Sequence, residues 1–335
     1  MNAFLIRISI FIAIQLFIAA AVFCNSQNQP RYGYMAAFED KVRMLQEHRE
    51  PSMILIGGSN VAFGIDSEIL ENEIQLPTLN AGLHAGLGLQ FYLDVAEKYA
   101  RRGDIVVLLP EYALFSRSYY PSKTYANELI RQSPEGCKHM LTLPEFDLKG
   151  FVDDRAFSEI AFQMQAGMKR HGAAQEAKVR KNALEPGVYS RLNFNQHGDF
   201  VGHHGLPQVE VIPHLDGQYY FDNEKYARST AAINECAATL NAKGAKMFFA
   251  YQPVARPVYE RSEPVIDKVH EFLKANLSIP ILHEPQKVVY DVSCFFDTPA
   301  HLNESTKRER TKVLVATLQR QLAVAANREK LAALR

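Results

Sequence analysis

The sequence predicts an α/β fold, a three-layer sandwich in which a central parallel sheet of about five strands lies between two layers of helices and is interrupted by an insertion subdomain. Three observations carry this expectation. The runs MILI at 53–56 and DIVVLL at 104–109 are apolar without alternation, as strands covered on both faces are. Stretches of helical period separate such runs. Between Ala113 and Phe221 the alternation stops for far longer than an ordinary connection, so an insertion is expected there.

Taken in order, residues 3–24 (AFLIRISIFIAIQLFIAAAVFC) are apolar apart from Arg7, Ser9 and Gln15. A helix of that length crosses a hydrocarbon core of about 30 Å. The segment 1–24 therefore reads as a transmembrane signal anchor, with a cleaved signal peptide as the alternative through Ala19, Ala20 and Ala21. Arg7 and the α-amino group favour a cytoplasmic start, which sends the chain from Asn25 onward to the periplasm or cell exterior as a single-pass protein of the cell membrane. Phe23 stands where a small residue precedes a lipidated cysteine, so lipidation of Cys24 is not expected.

Tyr34 to Glu50 has helical period and leads into strand Met53–Ile56, closed by the tight turn Gly57-Gly58-Ser59-Asn60. A second strand is expected at Leu76–Asn80, a helix at Gly88–Arg102 and a third strand at Asp104–Leu109. The insertion or lid, 113–221, holds helical stretches at Tyr125–Gln132 and Asp154–Arg170 and a Gly/His-rich stretch at Asn193–Gly205. Alternation resumes with helix Glu224–Ala242, strand Ala245–Tyr251, helix Val258–Ala275, strands Ile279–His283 and Lys287–Asp291, and a terminal helix from Glu304. The α/β domain thus comprises 34–112 and 222–335.

Composition removes several functions. Lys+Arg and Asp+Glu both number 37, so no global field draws nucleic acid. Cys24, Cys137, Cys236 and Cys294 form no CxxC pair, which reads as small buried hydrophobes, with one disulfide as the alternative. Gly82 to Gly88 lacks the third glycine and the acidic ribose partner of a dinucleotide fingerprint. His197, Asp199, His203 and His204 have metal-ligating side chains but no metal-site spacing, so the stretch reads as a polar loop over the catalytic mouth, with Asn195 and Asp199 as substrate contacts. The terminal helix carries eight Lys/Arg against three Glu; it reads as a solvated face packed by Val313, Leu314, Leu318 and Leu322, or as a surface for anionic lipid or polysaccharide.

In open parallel sheets ligands bind at the carboxyl ends of the strands. Gly57–Asn60, Asn80–Gly88, Pro110–Tyr112 and Phe295–Asn303 should meet there. Ser59 follows a strand between small neighbours, where a hydroxyl can be exposed; a serine nucleophile needs a base and a group that orients the base. Asp297 and His301, four apart around Pro299, offer both.

This order and placement resemble the SGNH/GDSL hydrolase family, a flavodoxin-like sandwich, and in particular its membrane-anchored branch related to polysaccharide O-acetylation proteins. The resemblance spans roughly Ser52 to Tyr112 and Asp291 to Leu314. It implies a catalytic triad of Ser59, His301 and Asp297, an oxyanion hole built from Ser59 and Gly82, no cofactor and no metal, an acyl-ester or carbohydrate substrate, and a membrane-bound acyltransferase partner. Three departures stand out: Gly-Gly-Ser-Asn replaces Gly-Asp-Ser, the Asp297–His301 spacing is one residue longer than the family's commonest form, and Pro110-Glu111-Tyr112 stands where the family's third block supplies an asparagine donor. Asn60 or Tyr112 is then the expected substitute donor, with His84 and Glu111 as pocket residues in contact with substrate. The expected activity is that of a serine esterase or O-acetyltransferase; the alternative is a catalytically impaired carbohydrate-binding or assembly component of an export complex.

Overall fold

The computed structural model describes residues 32–116, 118–143 and 187–333, together with the single positions Arg7 and Phe11. The membrane-directed segment, apart from those two positions, and the helix expected at 154–170 lie outside the described residues. Among the described residues no helix is long and apolar enough to cross a membrane.

Four parallel strands form the central sheet: β1 (Met53–Ile56), β2 (Thr78–Asn80), β3 (Ile105–Leu108) and β4 (Lys246–Phe249), in the order β2-β1-β3-β4. Their side chains divide strictly by parity. Ile54, Ile56, Val106, Leu108, Met247 and Phe249 face one core, and Met53, Leu55, Ile105, Val107 and Phe248 face the other. Both faces are covered, which is why the strands read as unbroken apolar runs. The first core is closed by α1 (Phe38–Glu47), α4 (Gly88–Tyr99), α7 (Asn223–Ala242) and α8 (Arg256–Asn276). The second is closed by α2 (Ser59–Gly64), α3 (Ser67–Ile74) and α9 (Glu304–Ala333), through Val61, Leu70, Leu314 and Leu318. Helix starts follow side-chain chemistry: Asp66 accepts the Ile69 N–H to open α3, and Asp222 accepts the Lys225 N–H to open α7.

The expected fifth strand is reduced to one parallel bridge, Phe249 to Ile281. Pro280 accepts the Phe249 N–H through its carbonyl, but with no N–H of its own it does not extend a ladder. Val289–Tyr290, expected beside the main sheet, pairs instead with Val254–Ala255 as a separate two-stranded piece. The described parts of the insertion contribute to the domain's core. Its helices α5 (Lys123–Gln132) and α6 (Pro134–Met140) and the loop 187–221 send Leu129, Met140, Phe200 and Ile212 into the same core as Ile54. Cys137, Cys236 and Cys294 form no disulfide among the described residues.

The terminal helix corrects the expected solvated basic face, because Lys307 and Arg310 are buried. Lys307 Nζ donates to the Phe200 carbonyl at 3.2 Å. Arg310 reaches under the β1 turn and donates to the carbonyls of Asn60 at 2.7 Å and Tyr251 at 3.2 Å.

Candidate functional site

The strand ends converge as expected. Leu109 N–H donates to the Ile56 carbonyl and Leu83 N–H to that of Gly57, so the loops after β1, β2 and β3 are stitched together. Ser59 is the first residue of α2, and a first-turn N–H has no acceptor within its helix. It is half-buried, and neither its N–H nor its Oγ makes a hydrogen bond among the described residues.

The loop carrying Asp297 and His301 is closed by an antiparallel bridge, Phe295 to Leu302, and by Phe296 N–H donating to the His301 carbonyl. That closure brings residues four apart together: His301 Nδ1 lies 2.8 Å from Asp297 Oδ1. A carboxylate only accepts, so the proton sits on Nδ1 and Nε2 keeps a free lone pair. The imidazole stacks on Phe63, with centroids 3.9 Å apart and planes 7° from parallel. Phe63 is four residues after Ser59 in α2, and residues four apart share a helix face. The His301 ring therefore lies on the face of α2 that begins with Ser59.

Sequence reasoning missed Tyr189. Its hydroxyl donates to Asp297 Oδ2 and stands 3.3 Å from His301 Nδ1. Burial by itself would raise the Asp297 carboxyl, but the His301 hydrogen bond and charge and the Tyr189 hydroxyl outweigh it and hold the group below its usual range. Tyr189 sits in an aromatic cluster with Tyr34, Phe63 and Phe200. A tyrosine more than a hundred positions from Asp297 carries no sequence signal for this contact.

Glu111, in the loop after β3, acts as an acceptor. Gly58 N–H donates to Oε2 and Asn60 N–H to Oε1, each at 3.2 Å, so the carboxyl group bridges the amides on either side of Ser59. A side chain at Gly58 would collide with this carboxyl, which explains the second glycine of the turn. Burial raises the Glu111 carboxyl, against the pull of its Asn60 and Gly58 hydrogen bonds.

Two expected oxyanion donors are occupied in the fold and a third is buried. The Asn60 amide donates to the Leu109 carbonyl at 2.9 Å and its oxygen accepts from Arg310 at 3.0 Å. The Gly82 N–H donates to Asn80 Oδ1 at 3.0 Å. Tyr112 is packed against Tyr219, and its buried hydroxyl has no partner among the described residues. Asn195 and Asp199 likewise serve the loop and not the mouth. Asn195 Oδ1 accepts the N–H groups of His197 and Asp199, closing a tight turn. Asp199 is buried between Ser67, whose N–H and Oγ donate to it at 2.8 and 2.6 Å, and Asn80, whose amide donates at 2.8 Å. Beside it, burial lowers the Lys41 ammonium to about 7, with the Asp199 charge acting in the opposite direction. Among the described residues no three His, Cys, Asp or Glu side chains gather to hold a metal ion.

His84 is fixed more tightly than its loop position suggests. Its Nδ1 accepts the Gly86 N–H at 2.9 Å, its own N–H and carbonyl both bond the Tyr92 hydroxyl, and its ring lies 3.8 Å from that of Tyr125. Burial, with His301 charge adding to it, lowers the group to about 4. His84 is therefore a neutral imidazole with its proton on Nε2, a donor at neutral pH.

No protein-family model matches the chain, and no curated protein matches it.

Proposed function

We propose that this chain is a serine esterase or O-acyltransferase of the SGNH type, anchored to the membrane with its α/β domain on the export side and acting on an acyl ester, acetyl foremost, of a cell-surface or exported carbohydrate. The observation that supports this most is the His301 ring, bonded through Nδ1 to Asp297 and stacked on Phe63 one turn beyond Ser59.

In this reading Ser59 Oγ bonds to the acyl carbon as its proton passes to His301 Nε2, and the carbonyl π pair moves onto oxygen. Collapse breaks the bond to the leaving alcohol, which takes the proton from Nε2. Water or a sugar hydroxyl then repeats the sequence on the acyl-enzyme, giving hydrolysis or transfer. Asp297 holds the imidazole tautomer. With Gly82 and Asn60 committed elsewhere, the Ser59 N–H and the His84 Nε2–H are the oxyanion donors; a donor of this kind contributes about 2.7–4 kcal/mol. A membrane-bound acyltransferase would supply the acyl group in the transfer case.

A fluorophosphonate probe tests the reading. Labelling of the wild-type chain that is lost in Ser59→Ala and in His301→Ala is the expected result; a chain that never labels removes the enzyme. The second reading, a non-catalytic carbohydrate-binding or assembly component, is favoured by one feature, the acidic Glu111 side chain on the two amides that flank Ser59. It predicts no labelling and carbohydrate binding that survives Ser59→Ala.

A further inference from the structure

We propose that the mouth of the Ser59 site rests on the surface of an anionic phospholipid bilayer, through a patch formed by Tyr32, Leu192, Arg43 and Arg191. The inference rests on reading residues 3–24 as a membrane segment and Ser59 as the nucleophile, and it adds where the substrate must lie.

The first observation is where the chain enters the domain. Gly33 pairs with Ser190 in an antiparallel bridge, Arg191 N–H donates to the Tyr32 carbonyl at 2.9 Å, and Ser190 Oγ donates to the same carbonyl at 3.0 Å. The residue beside Ser190 is Tyr189, whose hydroxyl holds Asp297. The chain arriving from the apolar segment is thus tied to the strip that orients the base. Residues 25–31, seven in all, separate the two, and even fully extended they span only about 25 Å. A membrane holding residues 3–24 cannot be far from the mouth.

The second observation is the composition of that surface. Tyr32 is 49% exposed, Tyr189 43% and Leu192 60%, large apolar side chains turned to solvent on one short stretch of chain pairing. Beside them one carboxylate in the groove serves two guanidinium groups: Asp40 accepts from Arg43 at 2.6 Å and from Arg191 at 2.5 and 2.8 Å, while the Glu39 charge also acts on Arg191. Tyr32, Asp40, Arg43, Arg191, Leu192 and Phe194 line an open groove of about 640 Å³. Aromatic and aliphatic tips beside arginines are the pairing that suits the headgroup region of an anionic bilayer, where the apolar part enters the acyl boundary and the cations meet phosphate. On this footing the acyl ester reaches Ser59 at headgroup level, so its carrier is amphiphilic or held at the membrane.

The chain contains no tryptophan, which makes the test direct. Leu192→Trp is placed in the full chain with its N-terminal segment and reconstituted into phosphatidylglycerol–phosphatidylcholine vesicles, with and without brominated acyl chains. Val324→Trp serves as the reference, 43% exposed and beside Met247 at the opposite end of the sheet. Expected is a fall of twofold or more in Leu192→Trp emission with brominated lipid, no change for Val324→Trp, and unimpaired fluorophosphonate labelling of Ser59 in both. A chain that floats with the vesicles but shows equal quenching at the two positions overturns the proposal and leaves the anchor standing. A chain that does not float with the vesicles overturns the anchor and the proposal together. A chain that floats, quenches as expected and never labels keeps the membrane contact and removes the enzyme.

Discussion

The sheet carries a histidine–aspartate pair at each end, and the two pairs differ in what their atoms have left to do. At the amino ends of the strands, His48 Nε2 lies 3.0 Å from Asp104 Oδ2 and its Nδ1 lies 2.8 Å from the Leu45 carbonyl. Asp104 also accepts the N–H groups of Ser52 and Arg101, and the Ser52 hydroxyl is taken by the Glu50 carbonyl. Serine, histidine and aspartate are all there, yet each atom that could do chemistry is already committed to a partner within the fold. At the carboxyl ends, His301 spends only Nδ1 and keeps Nε2. The triad's residue types recur at both ends, and uncommitted atoms distinguish a candidate site from a tie. Position adds a second difference, since loops and helix N-termini converge only at the carboxyl ends.

The strongest way to break the comparison is to remove each ring in turn. His301→Ala should lower kcat/KM on an acyl ester by about 10⁴-fold, as loss of a triad member does, with little change in the unfolding midpoint. His48→Ala should leave kcat/KM within twofold and cost about 1–3 kcal/mol of stability, because it orphans buried acceptors. Paired ester kinetics and urea melts of the two variants decide it. Loss of activity in His48→Ala at full folding would mean that the two ends are not separate.

Arg310→Met comes next. The buried guanidinium is lowered to about 10 by burial, with the charges of Tyr290 and Glu111 working the other way. It joins Asn60 on the turn to Tyr251 after β4, so removing it leaves buried carbonyls without donors. A loss of about 3 kcal/mol in a urea melt is expected. A weaker effect on probe labelling follows from a loosened turn. An unchanged melt would show that the carbonyls find other donors.

Acidification gives a third test. His84 and His139 are lowered to about 4 by burial, with neighbouring charge adding to it. In the unfolded chain each takes a proton near 6.5, and in the folded chain only near 4. The unfolded state therefore binds more protons in that window, so stability is full above pH 6.5 and falls as pH drops toward 4. His139→Phe should flatten the slope of the urea midpoint between those limits; a slope that does not change would mean that His139 is protonated in the fold.

How much of this was legible depends on how local the cause is. Unbroken apolar runs announced a parallel sheet because burial on both faces is a property of each strand alone. The Asp297–His301 contact was legible because four residues around a proline close on themselves. Pro280 explains why a strand-like run makes only one bridge, and that signal was present but outweighed by the hydrophobic pattern. Arg310 and Lys307 read as solvated because charge normally is; their burial depends on carbonyls supplied by distant turns. The donor assigned to Asn60 was lost for the same reason, since the Leu109 carbonyl claims its amide from elsewhere in the chain, whereas the Gly82 N–H is taken locally by Asn80.

Tyr189→Phe is the smallest and the sharpest probe of the open pair. The hydroxyl gives Asp297 one donor besides His301, and it is one of the causes that hold the carboxyl below its ordinary value. Without it, kcat should fall about fivefold to tenfold while KM stays put, about one charge-assisted hydrogen bond's worth of positioning. The pH signature separates this role from packing. A lowered carboxyl contributes stability above its unfolded value of 3.8, and the contribution is lost as pH falls through the folded value. In Tyr189→Phe the Asp297 carboxyl moves back toward 3.8, so the contribution at neutral pH shrinks, and its loss on acidification, which still begins at the unfolded value, is complete at a higher pH than in the wild type. Carboxyl titration followed by NMR measures that shift. If kcat falls and the Asp297 titration does not move, the ring packs the loop and the hydroxyl has no share in orienting the base.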